Sequence, residues 1–154
     1  MRKTEVTIVG GGMITHDQLL PSLYHMQRQG RIGAIRVCAS RGRTVAALAQ
    51  SDTLRQAFPG QSFEAFPHTV GDPEASHPEM FREVIARMAP HNIFVVAVPD
   101  QLHYDVIRAA LQYDQHVCAV KPLVLKQAQA AEIASEAFAR GLVVGVEYHK
   151  RFDD

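Results

Sequence analysis

Short runs rich in β-branched residues alternate along the chain with longer segments of helical period. That alternation is the mark of βα units around a parallel sheet covered on both faces. Six runs read as strands: Glu5 to Val9, Ala34 to Ala39, Ser62 to Phe66, Ile93 to Val98, His116 to Ala119 and Leu142 to Val146. The stretches between them predict helices over Ile14 to Gln29, Arg43 to Phe58, His77 to Met88, Gln101 to Tyr113 and Lys126 to Arg140.

Helix ends carry their own signals. Ser76 with Glu79 has the spacing of a capping box, Asp100 is a cap for the fourth helix, and Gly30 and Gly141 stand where left-handed C-terminal residues belong. Two ends fit less well, because Pro21 falls inside the first helix unless that helix starts late, and Leu125 is a poor N-cap for the fifth. The segment from Pro67 to Pro78, with Gly71, Pro73 and several polar residues, reads as a surface loop. Right-handed crossovers between this many parallel strands predict an α/β doubly wound Rossmann fold: a mostly parallel six-stranded sheet of order 3-2-1-4-5-6 with helices on both faces. Ligands of such sheets bind beyond the carboxyl ends of the strands, so function is expected after Val9, Ala39, Val98 and Ala119.

Composition narrows the partners. Lys plus Arg number 16, as do Asp plus Glu, and the basic residues form no long cluster, which argues against nucleic acid and for a small-molecule partner. No apolar run approaches the roughly 18 residues of a membrane span, and the N-terminus passes straight into a strand without a secretory signal, so the expected location is cytoplasmic. Cys38 and Cys118 lie within apolar strand-like runs and read as buried small hydrophobes. His16, His25, His68, His77 and His91 lack metal-ligand spacing and read as solvated; no metal site is expected.

After Val9 come Gly10, Gly11, Gly12, Met13, Ile14 and Thr15. Glycines there let the backbone turn tightly and approach a pyrophosphate, whose charge the N–H groups and dipole of the next helix stabilise. Thr15 occupies the place of a third Gly or Ala, which predicts slightly wider spacing of helix and strand. After Ala39, where an NAD site places an acidic residue for the ribose hydroxyls, stand Ser40, Arg41 and Arg43. A hydroxyl and two guanidiniums suit a 2′-phosphate, so the expected cofactor is NADP in preference to NAD.

With Pro99, Asp100 and His103 after the fourth strand, and Lys121-Pro122 after the fifth, the whole chain resembles the Gfo/Idh/MocA oxidoreductases. The resemblance is carried by the glycine loop, the strand ending in Pro99 with His103 four residues on, Ala109-Ala110-Leu111, Lys121-Pro122, and Tyr148-His149-Lys150-Arg151-Phe152. It implies hydride transfer between a nicotinamide and a sugar, polyol or related hydroxyl or carbonyl substrate. Lys121 matches the family's lysine beside nicotinamide and substrate, where a cation stabilises developing alkoxide charge. Val120 stands where the family has Glu.

Pro99 and Asp100 match the loop beside the nicotinamide ribose, and Pro122 is a candidate cis proline that fixes the direction of Lys121. His103 either approaches the nicotinamide or packs and caps its helix. The resemblance divides the chain into a cofactor-binding domain, residues 1–147, and the start of a linker, residues 148–154, in which Tyr148, His149 and Lys150 face the cleft. It implies a following substrate domain with an acid-base pair, a homo-oligomer formed through that domain, and little catalysis by these 154 residues alone. The reading from another class is a non-catalytic NAD(P)-binding sensor that regulates a partner protein.

Overall fold

The computed structural model describes residues 3–68 and 71–152. Six strands form one sheet: β1 Val6–Val9, β2 Ile35–Cys38, β3 Glu64–Phe66, β4 Ile93–Val96, β5 His116–Val120 and β6 Val144–Glu147. Their order is β3-β2-β1-β4-β5-β6 and every pairing is parallel. The predicted sheet is therefore the observed one, with strand ends differing by a residue or two.

Six α-helices cover it: α1 Leu20–Arg28, α2 Gly42–Ala49, α3 Asp52–Ala57, α4 Met80–Ile85, α5 His103–Gln112 and α6 Gln127–Arg140. Because side chains alternate along each strand, the sheet feeds two cores. Ile8, Ile35, Val37 and Val95 meet Leu20, Tyr24, Val45, Leu48 and Leu54 from α1 to α3. Val9, Phe94, Val96 and Val117 meet Phe81, Ile85, Ile107, Leu111 and Ile133 from α4 to α6. The strand order reverses between β1 and β4, which opens a crevice at their carboxyl ends.

Four helical expectations need correction. The first helix carries a π-turn, Thr15–Leu19, directly before α1. The Leu20 N–H reaches back five residues to the Thr15 carbonyl, and this wider turn admits Pro21, whose ring would clash with a carbonyl in a regular helix. The second predicted helix is two, because Ser51 interrupts it; its extended backbone lets Oγ accept from the Leu54 N–H at 3.3 Å, starting α3 anew. The third is shortened to α4: no Ser76–Glu79 capping box forms, and the Glu79 carboxylate pairs with Arg82 instead. Asp100 makes no side-chain cap but begins a 3-10 turn, in which the Leu102 N–H donates to the Pro99 carbonyl at 2.8 Å.

Other ends follow the sequence. Gly30 and Gly141 are left-handed, at φ +72° and +65°. The last helix is capped from Lys126, one residue beyond the unsuitable Leu125, without a side-chain bond. Cys38 and Cys118 are free thiols. Among the described residues no helix is long and apolar enough to cross a membrane. Asp153 and Asp154, in the expected linker, lie outside the described residues.

Candidate functional site

At the carboxyl end of β1 the backbone turns through Gly10, at φ +116°, a region open chiefly to glycine. A β-carbon at Gly10 would lie 2.0 Å from the Ala97 carbonyl oxygen, and one at Gly11 would lie 2.5 Å from Cγ2 of Thr44. Glycine is thus demanded twice by the protein's own packing. Gly12 differs: nothing lies within 4 Å of the place its β-carbon would take, so the backbone there is open to an approaching ligand.

The turn is pinned from both sides. The Gly10 N–H donates to the Cys38 carbonyl at 2.8 Å, and Thr15 Oγ1 donates to the Gly10 carbonyl at 2.7 Å. Thr15 is fully buried, so its hydroxyl fills the place a third glycine would leave and ties helix to turn. Gly12 in turn accepts the Thr15 and His16 N–H groups through its carbonyl. The amides that open the helix, among them Met13 and Ile14, stand in its first turn, where no preceding helical carbonyl accepts them and the positive end of the helix dipole lies.

The turn forms one wall of a cavity of about 510 Å³ at the topological switch point. Gly10, Gly11 and Gly12 face it from β1, Cys38, Ala39 and Ser40 from β2, and Ala97, Val98 and Pro99 from β4. Leu102, Asp105 and Val106 continue this side into α5, and the wall opposite was not foreseen: Ser76, His77, Pro78 and Phe81 come from the loop after β3 and from α4, with Thr44 from α2. His77, read from sequence as a solvated residue, is exposed yet lines this cavity. Its N–H donates to the Ser40 carbonyl at 2.7 Å, which draws the loop against the end of β2. Burial pushes the Cys38 thiol up to about 12, with the Glu83 carboxylate adding to the shift, so Cys38 contributes shape and no charge.

The other sequence candidates divide by position. Ser40 and Pro99 line the cavity with Gly10 and Gly12. Arg41 is exposed at the N-cap of α2, and its guanidinium has no partner among the described residues. Arg43 pairs with Glu74 at 3.2 Å. Met13 is 80% exposed, and Asp100 is exposed on the rim beyond Pro99. Ile14 is half-buried behind the turn.

Lys121 is exposed at the end of β5, where the Lys121–Pro122 peptide bond is cis, as the sequence suggested. His103 is fully buried, and its ring spans two loops: Nε2 lies 2.9 Å from the Val98 carbonyl and Nδ1 3.2 Å from the Leu123 carbonyl. Both nitrogens face main-chain carbonyl oxygens, and the tautomer decides which of them receives the ring N–H. His103 braces the Pro122–Leu123 loop against the end of β4, in keeping with the packing alternative of its sequence reading. His16, also read as solvated, is half-buried, with Nε2 2.8 Å from Ser51 Oγ. No group of three or more His, Cys, Asp or Glu able to hold a metal occurs among the described residues.

An all-parallel doubly wound sheet, a glycine turn at its switch point and a cavity between the strand ends define a nucleotide-binding Rossmann domain. The sequence model of the Gfo/Idh/MocA oxidoreductase family, NAD-binding Rossmann fold, matches residues 4–148, and the chain belongs to that family. It is 35% identical over 80 residues to the uncharacterized oxidoreductase YfiI of Bacillus subtilis (strain 168), a match covering 50% of this chain and 20% of that protein.

Two solved structures share the fold. KijD10, a 3-ketoreductase from Actinomadura kijaniata in complex with NADP and TDP-benzene, matches with a TM-score of 0.68 at 20% identity, over 95% of this chain and 37% of its own. UDP-N-acetylglucosamine 3-dehydrogenase GnnA from Acidithiobacillus ferrooxidans matches with a TM-score of 0.65 at 20% identity, over 99% of this chain and 39% of its own. The chain thus spans less than two fifths of the length of either structure.

Proposed function

We propose that this chain is the cofactor-holding domain of an NAD(P)-dependent oxidoreductase acting on a hydroxyl- or carbonyl-bearing carbon of a sugar, polyol or related compound. The observation that carries the reading is the Gly10–Gly12 turn, with steric demand met internally at Gly10 and Gly11 and open space at Gly12. A pyrophosphate fits there, held by the amides of the following helix and by its dipole. The adenosine half then lies in the cavity toward Ser40, His77 and Phe81, and the nicotinamide half passes Pro99 toward Lys121, which stands exposed at the end of β5 outside the cavity lining.

When bound, the cofactor supplies or accepts the hydride at the nicotinamide C4. Lys121 would hydrogen-bond the reacting oxygen and stabilise the alkoxide charge that develops as hydride adds to a carbonyl or, in the other direction, as the hydroxyl proton leaves. His103 holds the loop that carries it. The hydroxyl proton leaves to, or arrives from, an acid-base group of a substrate domain. The sugar-related activity in the name of GnnA supports the substrate class.

Ser40 and the unpaired Arg41 favour NADP, since no acidic residue follows β2 to accept both ribose hydroxyls. Calorimetric titration of the folded chain with NADP and with NAD tests the reading. Saturable binding, tighter for NADP, is expected. Failure of the folded chain to bind either cofactor overturns the assignment, and tighter binding of NAD overturns the preference.

A further inference from the structure

The loop between β3 and α4 is stitched to the turn after β2 at two points. The His77 N–H donates to the Ser40 carbonyl at 2.7 Å, and the Arg43 N–H donates to the Pro73 carbonyl at 3.2 Å. Between these bonds, Gly42 is buried with Pro73 Cα 3.7 Å from the place of its β-carbon, so the loop lies directly on the start of α2. The Asp72 carboxylate accepts the Glu74 N–H at 2.9 Å, which fixes the backbone that carries Glu74. From that position both Glu74 carboxylate oxygens face Nη1 of Arg43, at 3.3 and 3.2 Å.

The turn after β2 is where a dinucleotide's 2′-position arrives in this fold. An acidic group there accepts ribose hydroxyls and repels a 2′-phosphate, whereas a free guanidinium attracts the phosphate. The sequence after β2 supplies only the attractive half, Ser40, Arg41 and Arg43. The repulsive half comes from the loop, through an exposed carboxylate whose backbone is fixed by the Asp72 side chain, and it occupies one of the two cations.

We infer that Glu74 is a specificity-determining residue, which restrains NADP binding by neutralising Arg43. The inference rests on the proposed cofactor site. When NAD binds, the Arg43–Glu74 pair is left as it stands. When NADP binds, Arg43 reaches the 2′-phosphate only by leaving Glu74, and the carboxylate stays nearby as a like charge. Glu74 thus keeps the preference for NADP shallow and leaves the domain able to use either nucleotide.

The test compares the Kd of NADP and NAD, by calorimetry, for the wild type, Glu74→Gln, Arg43→Gln and the double variant. Glu74→Gln is expected to tighten NADP binding about three- to fivefold, the size an exposed ion pair supports, and to leave NAD unchanged. With Arg43→Gln already in place, the same change at Glu74 is expected to gain less than about half of that factor. An equal effect on both cofactors, no effect on either, or the full gain without Arg43 overturns the inference. Binding of neither cofactor to the folded wild type removes the proposed site itself, whereas binding at an unchanged ratio in Glu74→Gln removes only the role of Glu74.

Discussion

A β-carbon on Gly10 would sit 2.0 Å from the carbonyl oxygen of Ala97, so the turn after β1 and the end of β4 are packed closer than any side chain permits. Gly12, two residues on, has open space in the same direction. The two glycines therefore answer to different demands, one made by the fold and the other by a ligand.

Alanine substitution separates those demands. Gly10→Ala forces a side chain into φ +116° as well as into Ala97, a backbone cost of about 1–3 kcal/mol before the overlap is counted. The thermal midpoint is expected to fall by at least several degrees in a circular dichroism melt, and cofactor binding with it. Gly12→Ala is expected to melt like the wild type yet bind NADP at least about tenfold more weakly, because its methyl takes the space the pyrophosphate needs. Wild-type affinity in Gly12→Ala would move the pyrophosphate away from this turn.

The sheet was legible because each strand is a compact β-branched run, and the glycine turn because three glycines directly follow the first of them. The second helix was read as continuous because apolar period persists from Val45 through Leu48 to Leu54, yet Ser51 followed by Asp52 is itself a helix-start signal. The cavity's far wall had no local signal at all. Ser76, His77 and Phe81 reach it through tertiary contacts, among them the His77 amide bonded to the Ser40 carbonyl and the packing of Phe81 in the core.

The same limit hid the partner of Arg43. Two guanidiniums after β2 read as a phosphate site, while Glu74 meets Arg43 through tertiary folding. His103 shows the reverse case. Its place in the motif was legible, but its work as a brace between Val98 and Leu123 depends on where two distant carbonyls lie.

The Cys38 thiol gives a pH-dependent prediction. Burial holds it protonated up to about 12, Cys118 is shifted the same way by burial and by Glu147, and burial likewise lifts Tyr24 to about 12. In each case the folded value exceeds the unfolded one, so the stability they contribute is complete below the unfolded thiol value of about 8.5 and is lost as pH rises toward 12. Unfolding free energies from denaturant titrations are expected to hold steady between pH 7 and 8 and to fall above pH 9, by up to about 1.4 kcal/mol per pH unit for Cys38 alone. Folded chain treated with iodoacetamide at pH 8 should remain unmodified at Cys38 by mass spectrometry, and should react once unfolded. Alkylation of Cys38 at the same rate in both states would contradict the burial that closes this wall.

Lys121 carries the chemical half of the proposal, and its surroundings predict how its loss is read. The residue is exposed at the end of β5, so its removal disturbs no core contact. Lys121→Met is therefore expected to leave the thermal midpoint unchanged and, in the oxidoreductase that contains this domain, to lower kcat about 100-fold or more, as expected for one donor to a developing oxyanion. The interaction strengthens only as the alkoxide forms, so kcat and kcat/KM should fall together while the substrate KM stays level. Steady-state kinetics with a sugar or polyol substrate measures both. A rise in KM at unchanged kcat would make Lys121 a binding residue for substrate or cofactor, and full activity would remove it from the reaction.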